Sequence, residues 1–135
     1  MTQAEGTQPL DELIEAVHWY FDALYEGDAE LFAKVMHPRV RLFSATDEPM
    51  VELDLPTYMD IVRNRPSPAS RNDPRHDRVL SIEVATPTTA HVRVQDAVLP
   101  KMFTDDLTFL RVDGQWKIVS KVWHYVLAEP GAPKV

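Results

Sequence analysis

Cysteine is absent from this 135-residue chain. That excludes disulfides, thiolate metal sites and a cysteine nucleophile. Glycine is scarce, with four in all, and no glycine-rich phosphate loop occurs. Positive charge is also short: 14 Lys and Arg against 21 Asp and Glu give a formal net charge of −7. This balance argues against nonspecific nucleic-acid binding and against an anionic membrane surface as partners. No apolar run approaches the ~18 residues of a spanning helix. The polar residues 1–8 lack the basic start and apolar stretch of a secretory leader, so the expected location is cytoplasmic. The five histidines show no His-x-His or His-x-x-x-His spacing, so neither metal nor cofactor is expected.

What is present suffices for one core, since 44% of residues are hydrophobic. Leu10, Leu13, Ile14, Val17, Phe21 and Leu24 recur at helical spacing and predict a helix over 9–26, opened by Pro9. Gly27 suits the C′ position and Asp28 the N-cap of a second helix, 29–36, which His37-Pro38 ends. A strand over 40–45, a return strand over 50–53 and a third helix over 57–64 follow. Residues 65–76, with three prolines, read as a long loop, either a lid or a mobile connection. Strands are predicted over 78–85, 90–99, 107–113 and 116–127, the last four forming an antiparallel meander. Helices followed by a run of strands imply an α+β fold. The expected domain spans 9–127, with 1–8 and 128–135 as flexible tails.

Asp113-Gly114 marks a tight hairpin between the last two strands. On the second arm Trp116, Ile118 and Val122 share one parity with Ser120 and His124, while Val119, Trp123 and Tyr125 share the other. A ribbon apolar on both faces needs cover on both. Helices can cover one face and a second copy of the chain the other, so a homodimer through the outer sheet face is expected.

Several stretches together resemble a known family. They are Tyr20-Phe-Asp-Ala-Leu-Tyr25, Gly27-Asp28-Ala29, His37-Pro38, Val40-Arg-Leu-Phe43 and Asp113-Gly-Gln-Trp-Lys-Ile118. The chain is similar to the nuclear transport factor 2-like superfamily. Arg65-Pro-Ser-Pro-Ala-Ser-Arg71, Asp77-Arg-Val-Leu-Ser-Ile82 and Ser120-Lys-Val-Trp-His124 resemble its branch labelled putative lumazine-binding, related to the SnoaL-like polyketide cyclases. The resemblance implies a cone, in which a curved antiparallel sheet of four to six strands wraps around three helices. It implies a pocket at the wide end, between the concave sheet face and helices one and three. It also implies homodimers packed through the outer face. A small hydrophobic or aromatic ligand, a heterocycle or polyketide-like compound, would suit such a pocket.

Candidate chemistry can be placed on this frame. His124 and Ser120 line the pocket if the Trp116 face is concave; otherwise His124 is a half-exposed strand-end residue or a dimer contact. Adjacent residues Asp105 and Asp106 point to opposite faces and cannot form a carboxylate pair on one face. Asp106 beside apolar neighbours would be a base; the alternative is a solvated doublet opening a strand. The expected catalytic pair is therefore Asp106 and His124. Ligand-lining candidates are Tyr20, an inward donor or a packing aromatic, and His37, a pocket residue or a cation at a helix end. Phe43, Tyr58, Trp116 and Ser120 complete the set. His91, Arg93 and Gln95 form a polar stripe assigned to the outer face. Arg71, Arg75, His76 and Arg78 cluster near the long loop, either meeting an anionic ligand or, in the favoured reading, forming a solvated loop. A steroid isomerase of this fold would carry its aspartate base on the first strand, yet Val40-Arg-Leu-Phe-Ser44 holds no acid. The leading expectation is a small-molecule-binding protein. The alternatives are a cofactor-independent isomerase, cyclase or dehydratase, and a non-catalytic dimerisation module.

Overall fold

The computed structural model describes residues 9–128. The expected tails lie outside these residues, apart from Ala128. The order is α1 (Pro9–Glu26), α2 (Ala29–Val35), β1 (Met36–Ser44), β2 (Val51–Leu53), α3 (Leu55–Asn64), a 3-10 turn (Ala69–Arg71), β3 (Arg78–Val84), β4 (Thr89–Val98), β5 (Lys101–Val112) and β6 (Gln115–Leu127). Local chemistry explains the helix ends. Gly27 takes φ +68°, and a Cβ there would sit 2.9 Å from the Ser67 Cβ. Asp28 Oδ1 accepts from Leu31 N at 3.1 Å and Asp54 Oδ1 from Thr57 N at 3.0 Å, capping α2 and α3. Asp113 and Gly114 both have positive φ, the backbone a two-residue hairpin requires.

Six strands form one sheet in the order β2-β1-β6-β5-β4-β3, curved and unclosed. β3 to β6 are the expected antiparallel meander. The sheet as a whole is mixed, however, because β1 runs parallel to β6. β1 reaches that position by a crossover rather than a hairpin, and alternation alone carries no direction. β1 also begins at Met36, so His37-Pro38 lies in the strand. Pro38 is tolerated there because the β1–β6 register shifts between Met36 and Arg41. β5 begins at Lys101, six residues before the predicted start, since ladder pairing is a backbone affair that polar side chains do not prevent.

The helices pack on the concave face. Leu13, Val17, Tyr20, Phe21 and Leu24 of α1, Phe32 and Val35 of α2, and Tyr58 and Val62 of α3 meet Val92, Val94, Leu107, Phe109 and Ile118 of the sheet, all buried. One irregularity decides which residues share this face. Ile118 pairs with Phe109 and Ser120 with Thr108, leaving Val119 as an extra residue in β6. A bulge of this kind inverts the alternation beyond it. Trp116 and Ile118 face the core as expected, but after the bulge Lys121, Trp123 and Tyr125 do so. Ser120, Val122 and His124 turn to the convex face, a correction to the parity expected from sequence.

Candidate functional site: a cationic pocket at the mouth of the cone

Between α3, β2 and the concave ends of β5 and β6 lies a pocket of about 390 Å³, within the range of small-molecule sites. Leu24, Leu53, Ile61, Phe103 and Trp123 supply apolar walls; Tyr58, Arg65, Lys101 and Lys121 supply polar groups. Lys121 is 5% exposed. Its Nζ donates to Tyr58 Oη at 3.2 Å and lies 5.3, 4.9 and 5.4 Å from the ring centroids of Tyr20, Tyr58 and Trp123. Such faces attract a cation.

Behind Lys121 sits a buried acidic pair. Asp105 is opposite Trp123 in the ladder, and Asp96 is opposite Phe103, so the two aspartates are diagonal neighbours on the concave face. Tyr20 Oη donates to Asp105 Oδ2 at 2.7 Å. The other Asp105 oxygen and both Asp96 oxygens are buried, with no donor among the described residues. Two ionised carboxylates cannot satisfy each other. A protonated Asp96 can donate to Asp105, and the environment favours that state: burial foremost, then the charge of Asp105, hold Asp96 well above the usual carboxylate range. Burial and then Asp105 likewise push the Tyr20 phenol up, so it remains a donor. For Lys121, burial pulls toward the neutral amine, but Asp105, Tyr58 and Asp96 outweigh it and raise the group above its ordinary value. The cluster therefore favours the ammonium form of Lys121 and the protonated form of Asp96. Its ammonium and the Tyr58 hydroxyl can meet a carboxylate or a developing oxyanion. A Schiff base would need the neutral amine that this environment opposes.

The residues singled out from sequence are dispersed. Tyr58 lines the pocket, and Tyr20, fully buried, lies one layer behind it. Asp106 stands on the convex face, where its Oδ1 accepts from Arg93 Nε at 2.7 Å and lies 3.1 Å from His91 Nε2. It has no apolar pocket around it. Ser120 and His124 share that face because of the bulge, with His124 Nδ1 3.1 Å from Thr46 Oγ1. Phe43 pairs with the convex Val122, its neighbour Leu42 taking the core side. His37 is the second residue of β1 and accepts from Arg39 N at 3.0 Å, rather than ending a helix. Trp116 donates to the Pro9 carbonyl at 3.1 Å and lines a separate cleft with Trp19 and Glu12 near the β5–β6 turn. Asp96, Asp105 and Lys121 were missed. Asp96 and Asp105 had a signal, since each continues an apolar stripe, Val92-Val94 and Leu107-Phe109, at the same parity. Lys121 had none without knowledge of the bulge.

The family described as "Putative lumazine-binding" matches residues 8–124. The chain is 27% identical over 116 residues to the aldolase FrzH of Cladobotryum sp, an alignment covering 84% of this chain and 89% of that protein. It superposes with a TM-score of 0.78 on an NTF-2 like protein of unknown function from Silicibacter pomeroyi DSS-3, at 19% identity, covering 87% of this chain and 95% of the other. An NTF2-like protein of unknown function from Shewanella baltica OS155 gives 0.77 at 20% identity, covering 91% and 100%. The chain belongs to the putative lumazine-binding family, with the nuclear transport factor 2-like fold.

Proposed function

We propose that this member of the putative lumazine-binding family binds a small aromatic or heterocyclic molecule in the cone pocket, with the ring against Phe103 and Trp123 and a polar group toward Lys121 and Tyr58. The observation that carries this reading is Lys121: a buried ammonium at the edge of a pocket with apolar walls, held among three aromatic rings. A cation so placed is costly to bury, and a ligand acceptor would offset part of that cost. Thermal denaturation against a panel of one- and two-ring heterocycles, lumazine included, tests it. A probe at 100 times its Kd stabilises the folded state by about 2.7 kcal/mol. Ile61→Trp, at a pocket-wall position 40% exposed, should keep the fold and abolish the shift. The reading fails if no probe shifts the wild-type protein, or if the shift survives in Ile61→Trp.

A second reading is acid/base catalysis without a cofactor. It is supported by the two buried, diagonally adjacent carboxyl groups of Asp96 and Asp105 and by the aldolase name of a relative. In it the proton-handling role passes from Asp106 and His124 to Asp96 and Asp105, while Lys121 and Tyr58 stabilise an enolate oxygen. Deuterium exchange at the α-carbon of enolisable aryl ketones is the readout; exchange that persists in Asp105→Asn argues against it. The expected homodimer belongs to the same proposal. Val122 and Val126, 46% and 59% exposed, share the convex face, where a second copy would cover them. Light scattering that gives a monomer at micromolar concentration excludes that part.

A further inference from the structure

The pocket is opposite in sign to the chain that makes it. The protein has a net charge of −7, yet the charged side chains lining the pocket are Arg65, Lys101 and Lys121, and no carboxylate lines it. We infer that the ligand is an organic anion, an aromatic or heteroaromatic carboxylate or enolate, whose negative group meets the Lys121 ammonium and the Tyr58 hydroxyl. The inference rests on the reading of the pocket as a small-molecule site and deepens it.

Three features converge on an anion. An ammonium carries three N–H donors. That of Lys121 spends one on Tyr58, and no other hydrogen-bond acceptor is placed against it among the described residues. Three ring faces lie against it, so two donors remain for a ligand oxygen. Arg65 and Lys101 stand at the end of α3 and the start of β5. Neither has a carboxylate within 4.0 Å among the described residues; they lie 5.9 Å over the Tyr58 ring and 4.6 Å over the Tyr125 ring. By contrast Arg63, Arg71, Arg75, Arg93 and Arg111 each pair with an acid. Finally, the buried acids cannot neutralise the three cations. Asp96 and Asp105 are two acids against three cations, and burial holds Asp96 toward its neutral form. The apolar walls of Leu53, Phe103 and Trp123 require the anion to carry a flat hydrophobic body, which excludes a bare inorganic ion as the preferred ligand.

The test is a matched series of one- and two-ring aryl carboxylates and the corresponding aryl carboxamides, which keep the shape and lose the charge. Titration calorimetry at pH 7.5 should give carboxylates at least 10-fold tighter than carboxamides. The preference should shrink in 0.5 M NaCl, because salt screens the outer cations more than the buried one. Lys121→Met should abolish the preference. Since that variant removes a buried charge and can fail to fold, Arg65→Gln/Lys101→Gln provides the independent arm. It should weaken carboxylates 3- to 10-fold relative to carboxamides. Carboxamides binding as tightly as carboxylates overturn the anion inference and leave the pocket reading standing. No binding by either series at millimolar concentration, with Ile61→Trp indistinguishable from wild type, overturns both.

Discussion

Asp105 and Asp106 are neighbours in β5, yet they occupy different solvents. Asp105 is fully buried on the concave face, bonded to Tyr20 and acting on Lys121. Asp106 is on the convex face beside Arg93 and His91, with about a third of its side chain in water. The convex ion pairs have the shorter contact, 2.7 Å for Arg93, while no direct salt bridge joins Asp105 to Lys121. Distance is therefore a poor guide to worth here. Water screens the convex cluster and already solvates its members, so its net contribution is small. The concave groups have no water to fall back on, and losing one strands another.

The largest effect follows from that contrast. Asp105→Ala removes the chief counter-charge of Lys121 and the acceptor of Tyr20, and should cost about 3–5 kcal/mol. Asp106→Ala should cost under about 1 kcal/mol. Urea unfolding of the two variants measures the difference; equal losses would erase the distinction between the faces. Next comes Tyr20→Phe, which deletes one hydrogen bond to a buried charged acceptor and should cost about 1.5–3 kcal/mol. A loss below ~0.5 kcal/mol would mean that Asp105 does not rely on that hydroxyl.

The effect that is smallest at acid pH and grows above it comes from Asp96. Its carboxyl is raised in the folded chain, foremost by burial, and titrates near 3.9 in the unfolded one. Between those values the folded state holds a proton that the unfolded state lacks, so stability falls as pH rises through that window. Asp96→Asn removes this titration, and its amide can donate to Asp105. The variant should match wild type near pH 4 and gain on it above, by at most about 1.4 kcal/mol per pH unit while the window lasts. Thermal melts at pH 4.5, 6 and 8 follow it. A difference that stays flat with pH would show Asp96 ionised in the folded state.

Local physics was legible from the residues alone. The spacing of Leu13, Val17, Phe21 and Leu24, the caps at Asp28 and Gly27, and the Asp113-Gly114 turn each depend on neighbours within a few positions, and each appears in the fold. So does the α+β order. The side-chain assignment beyond residue 118 was not legible, because parity accumulates along a strand: one extra residue at Val119 moves every later side chain to the other face. His124 and Ser120 left the pocket by that route, and Lys121 and Trp123 entered it. Asp105 lost its place among the candidates because sequence shows only that Asp105 and Asp106 face opposite sides, with Asp106 the expected inward one.

By itself, then, the order of amino acids determined helices, caps, turns and the need to cover an apolar ribbon, since these are set by short-range sterics and by the amount of oily surface. Only tertiary structure decided the parallel β1–β6 pairing, the bulge where β6 pairs with β5, and hence which ionisable groups lost their water. Burial of a charge is a property of what packs around it from distant segments, and no stretch of chain carries that information alone.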